Sequence, residues 1–254
     1  MEFVAAHPLT SFVLVSGSLA TPLLAFGTYN ASGATFKKSI GIAAGITLWG
    51  VVALLFIRGW QFDLDPALVW AIVALNYAVP SVVVVLFRQF FVGGGLSLEW
   101  LTSVQAFRFM GALFILENLR GHTGTAFAYT AGFGDVMAAV IALTLLLQLL
   151  SGDKPRSFIF YVLIAFGTID FLAAYSLSFL SGDGLPWQVL ALDETHLMHL
   201  YPLALLPYFL VPFAMANHVL MYLTLQDSQV GHARSPSDPQ SGGEDVPGRS
   251  DPSS

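Results

Sequence analysis

An all-α bundle of seven membrane-spanning helices is the fold the sequence predicts, on three observations. Only 10% of the 254 residues are charged and 56% are hydrophobic, whereas a soluble domain carries about 25% charged residues. The mean hydropathy is +0.71. Seven stretches reach the roughly 20 apolar residues that a helix needs to cross the hydrocarbon core.

Those stretches are Leu9 to Tyr29, Ser39 to Ile57, Ala67 to Phe87, Leu98 to Asn118, Ala126 to Leu150, Ser157 to Leu180 and Leu200 to Leu225. No Lys or Arg precedes the first one, so it lacks the basic leader of a cleaved signal peptide and is expected to stay in the mature chain. From Asp227 the composition turns to Ser, Pro, Gly, Asp and Glu, which cannot bury enough apolar surface to fold. Residues 1–226 are therefore expected to form one transmembrane domain and 227–254 a disordered tail. Basic residues in short loops set orientation. Lys37, Lys38, Arg88, Lys154, Arg156, Arg234 and Arg249 fall on one side, against Arg58 and Arg120 on the other. The N-terminus is expected outside and the tail in the cytoplasm. The bilayer is the expected partner, with a bacterial plasma (inner) membrane as the expected location.

Several function classes drop out. The net charge of −6 offers no basic surface for nucleic acid. Without cysteine there are no disulfides, thiolate metal sites or cysteine nucleophiles. A retinal Schiff base needs a lysine in the last helix, and Leu200 to Leu225 has none. The third helix ends VVVVLFRQF, without the acidic-Arg-aromatic triplet of a G-protein-coupled receptor.

The polar residues at mid-span carry the functional expectation. Arg108 lies in the fourth stretch, Asp135 in the fifth, Asp170 in the sixth and Asn76 in the third, with Gln105 one turn from Arg108. A charge at that depth costs ~2.5–3.5 kcal/mol on insertion scales, so it faces the interior and pairs or has a task. Ala131, Gly132, Ala138 and Ala139 surround Asp135 at helical spacing, and Gly167, Ala173 and Ala174 surround Asp170. Small neighbours let helices approach and exclude lipid. Pro80 cannot bond the carbonyl of Asn76 and frees an acceptor at the same depth.

The short turn from Arg120 to Thr125 makes Asp135 the expected partner of Arg108, with Asp170 the excess acid. One arginine cannot neutralise two aspartates, so these residues point to a small-solute or proton-coupled carrier. The alternatives are a buried pair that only fixes packing, in a membrane sensor or scaffold, and a membrane-embedded enzyme.

Gly132-Phe133-Gly134-Asp135 resembles the Gly-x-Gly-Asp of intramembrane aspartyl proteases of the presenilin-like and prepilin-peptidase families. The resemblance implies a second aspartate sharing a proton, a part Asp170 would play. Those families place the partner before the motif, and here it follows. More broadly, Gln-x-Phe-Arg in one helix and Gly-x-Gly-Asp in the next, within residues 104–146, resemble uncharacterised bacterial multi-pass membrane proteins.

Histidines gather on the expected outer side: His7, His122, His196 and His199, the last two spaced by three with Asp193. Imidazoles with carboxylates suit zinc or copper, which makes this an expected metal site of an enzyme. Anchoring of helix ends is the alternative. The last stretch carries Pro202, Pro207 and Pro212. Its interrupted backbone needs partners from neighbouring helices.

Overall fold

The computed structural model describes residues 8–59, 64–93, 95–153, 155–181, 188 and 200–234. Six helices among them are long and apolar enough to cross a membrane. They are α1 (Pro8–Ala31), α2 (Phe36–Arg58), α3 (Pro66–Leu86), α7 (Thr125–Leu150), α8 (Ser157–Leu180) and the run Leu206–Ser228. Polar residues start two of them: the Thr35 hydroxyl accepts from the Lys38 amide, and Asp65 accepts from the Ala67 amide just before Pro66. A short helix α4 (Arg88–Val92) follows α3.

The fourth apolar stretch differs from its neighbours. It is α5 (Leu98–Gln105), a 3-10 segment (Ala106–Gly111) and α6 (Ala112–Leu119) in unbroken succession. Sequence periodicity predicts one uninterrupted helix there. Within the 3-10 segment Gly111 packs tightly against α7.

The last stretch is also remodelled. Turns occupy residues 201–204, a π-helical turn follows at Leu206–Leu210, and α9 runs from Val211 to Arg234. Thus the helix continues beyond Asp227, into the start of the segment whose composition predicts disorder. Arg88 forms an ion pair with Asp227, fastening that extension to the start of α4.

The surface is inverted relative to a water-soluble bundle. Phe12, Leu19, Leu23, Leu86 and Phe158 are among the exposed large apolar side chains, which a lipid environment accepts at no cost. Two thirds (67%) of the most apolar window of the Leu206–Ser228 span is buried, far more than in the other spans, so this run forms the bundle axis. Around it α3, α5 and α8 pack on α9, while α7 packs on the 3-10 segment, α6, α5 and α8. The buried face of α7 is largely alanine, with Ala128, Ala131, Ala138, Ala139 and Ala142. Small side chains bring its neighbours close enough for polar groups at the centre to meet.

Candidate functional site

The three mid-span charges converge. Arg108 Nε donates to Asp135 Oδ1 at 2.7 Å, and Nη2 donates to Asp170 Oδ2 at 2.5 Å. All three residues are buried, Arg108 to 1% exposure. The sequence predicts the Asp135 contact and leaves Asp170 over; the structure puts both carboxylates on one guanidinium. The Phe171 ring lies under that guanidinium at 3.9 Å, a cation–π contact that holds its plane.

The 3-10 segment makes this geometry. At three residues per turn, side chains spaced by three eclipse. Gln105, Arg108 and Gly111 are all buried at that spacing. The missing side chain of Gly111 admits Asp135, since a Cβ there would collide with the Asp135 Cβ.

The same device closes a ring. A Cβ on Gly134 of α7 would strike the Asp170 carboxylate, and one on Gly167 of α8 would strike Arg108 Nη1. Each charged residue therefore has, on its own segment, the glycine that receives the next charged residue. Only Gly167 emerges from the spacing around the aspartates. Gly134 adjoins Asp135 rather than lying a turn away, and Gly111 becomes a partner only because the helix tightens. Gly134 of the Gly-x-Gly-Asp sequence thus has a packing role in this chain.

A polar network lies beside the ring. His218 Nε2 is 3.1 Å from Gln105 Oε1 and Nδ1 is 3.2 Å from Thr168 Oγ1. Gln105 Oε1 can only accept, so Nε2 carries the proton and Nδ1 accepts from the hydroxyl. Gln105 Nε2 donates to the Ala214 carbonyl at 3.5 Å, and Asn217 Nδ2 to the Leu101 carbonyl at 2.9 Å. His218 belongs to this site, which the mid-span charges alone do not predict. Its signal in the sequence is the polar pair Asn217-His218 inside an apolar run.

Asn76 does not join them. Its Oδ1 accepts from Trp49 Nε1 at 3.0 Å, and its Nδ2 donates to the Tyr208 carbonyl at 2.6 Å. Pro212 cannot donate to that carbonyl. Asn76 therefore repairs the break that Pro212 makes in the last helical run.

On the far side of the carboxylates lies a cavity of about 50 Å³. Asp135 and Asp170 border it, with Trp70, Tyr77, Phe127 and Tyr175 among the aromatic walls. A water needs ~10–15 Å³ of such space, so the cavity holds a few.

At the end of α6, Glu117 is fully buried. Thr10 Oγ1 donates to it at 2.5 Å, Arg120 Nη1 at 3.1 Å, and His122 Nδ1 lies 2.9 Å away. His122 is thus engaged with Glu117. The other expected ligands, His7, Asp193, His196 and His199, lie outside the described residues. Among the described residues no group of three or more His, Asp or Glu could hold a metal.

Taken together, an all-helical bundle with six helices of membrane-crossing length surrounds a buried arginine–aspartate ring. The chain belongs to the family described as Domain of unknown function (DUF8737), whose model matches residues 66–226. That span includes every member of the ring and its network. No curated protein and no solved structure matches the chain.

Proposed function

We propose that this protein is a proton-coupled carrier of a small solute, with Arg108, Asp135 and Asp170 as its charged core. The observation that supports this is the charge count of the ring: two buried carboxylates share one guanidinium. The ring is one positive charge short of neutral, and an unbalanced charge inside a membrane bundle is expensive. A proton, or a small cation in its place, supplies that charge. The cavity beside the aspartates has room for it, and Gln105, His218 and Thr168 offer a polar path beyond.

Broken helices at mid-bundle, here the 3-10 and π-helical turns, recur where carriers bind their cargo. In this scheme α5, the 3-10 segment and α6 together cross the bilayer as a seventh span, with the N-terminus outside and the tail in the cytoplasm. A peptidase has less support, because an aspartyl dyad needs its two acids free to share a proton. Here Arg108 bonds both.

Proteoliposomes of the full chain on a solid-supported membrane test the proposal. A pH jump should displace charge transiently in the wild type, and Asp170→Asn should abolish the transient. A wild-type protein that gives no transient overturns proton coupling, whatever the variant does.

A further inference from the structure

We propose that a second site, at the opposite end of the bundle from the aspartate cavity, binds the acyl chain of an anionic amphiphile. A cleft of about 330 Å³ lies between α1, α2, α3, α4, α5 and α9. That volume, and a wall that is almost wholly apolar, match the small-molecule sites of proteins. Three observations support an occupant.

The first is empty space on α2. Gly41 and Gly45, one turn apart, both line the cleft, and a Cβ added at either would meet nothing within 4 Å. Glycines that serve helix packing meet a neighbour, as Gly50 meets the Phe209 ring. These two meet none.

The second is Tyr29, which lines the cleft and is 97% buried, its relative exposure being 3%. Its hydroxyl has no hydrogen-bond partner among the described residues. Burying a hydroxyl without a partner is costly, and a ligand oxygen would satisfy it. The third is charge. Lys38 Nζ sits 5.6 Å from the Tyr29 ring centroid and 5.1 Å from that of Phe90, a second lining residue. The apolar slot therefore has, on its wall residues Tyr29 and Phe90, a buried hydroxyl without a partner and a cation over the two rings. A hydrocarbon tail with an anionic oxygen head fits all three, and a neutral apolar molecule would leave two of them unused. The proposal does not depend on proton coupling at the ring.

Trp49 also lines the cleft and reports on its contents. Dibromostearate, a brominated fatty acid that quenches indole fluorescence on contact, should quench the purified full chain in detergent saturably. Trp49→Phe should remove the saturable component, and so should Gly45→Leu, whose side chain enters open space and leaves thermal unfolding unchanged. Lys38→Gln should weaken the acid about fivefold, the equivalent of one basic residue at ~1 kcal/mol, and leave the brominated methyl ester unaffected. Tyr29→Phe should weaken the acid without loss of stability, because the lost hydroxyl has no partner in the protein. Brominated phosphatidylglycerol in nanodiscs distinguishes a bilayer lipid from a free fatty acid. Quenching that is linear in the wild type, or equally saturable in Gly45→Leu, overturns the site. Equal loss of acid and ester in Lys38→Gln overturns the anionic head.

Discussion

Arg108 meets its two carboxylates through different nitrogens, Nε for Asp135 and Nη2 for Asp170, while Phe171 supports the face of the guanidinium. Removing the arginine strands two acids, whereas removing either acid leaves a balanced pair. Arg108→Met should therefore cost ~3–5 kcal/mol, the usual penalty for breaking a buried pair. Asp170→Asn should keep the fold. Thermal unfolding in detergent ranks them, and an Asp170→Asn variant less stable than Arg108→Met would refute this charge accounting. The glycines make a second prediction. Ala at Gly111, Gly134 or Gly167 forces a methyl into a charged neighbour and should cost ~1–3 kcal/mol by overpacking. Ala at Gly41, where nothing stands within 4 Å, should be neutral. Asp135 as the partner of Arg108 was legible in the sequence, because the turn before α7 is short. The sharing of Arg108 by Asp170 was not, since no spacing tells which face of α8 meets the 3-10 segment.

At the scale of the element, the ends of α1, α2, α3, α7 and α8 could be read closely from apolar runs and their polar borders. The two interrupted elements could not. The 3-10 segment Ala106–Gly111 packs on α7, a different part of the chain, and has no local signature. The prolines of the last run were visible, yet not what would repair them. Asn76 donates, across 132 residues, to the Tyr208 carbonyl, to which Pro212 cannot donate. Asn76→Leu should accordingly cost ~1–2 kcal/mol, the range of model-peptide hydrogen bonds in membranes. In a Pro212→Ala background residue 212 regains its amide, the carbonyl has a donor in its own helix, and the same change should cost much less. A double-mutant cycle on unfolding free energies measures this coupling. Additive effects would mean that the two residues act independently.

For the whole molecule, the number of crossings decides everything about sidedness. Six helices have the length to cross singly, and α5, the 3-10 segment and α6 form one further run from Leu98 to Leu119. If that run crosses, the loop from Gly59 to Pro66 and the region after Leu225 lie on opposite sides of the bilayer. If it turns back within the membrane, they share a side. Packing of this run along α7, a full-length span, favours crossing. So does Arg108, since a guanidinium held at the middle of a span by carboxylates from α7 and α8 sits at their mid-depth. The basic residues add direction, with seven in the loops and tail on one side against two on the other. Paired reporters, one in the Gly59 to Pro66 loop and one after Leu225, should thus report the outside and the cytoplasm respectively. Both on one side would reduce the count to six crossings and make the run from Leu98 to Leu119 re-entrant. The aspartate cavity and the acyl cleft would then lie at ends of the bundle whose sidedness the basic residues no longer fix.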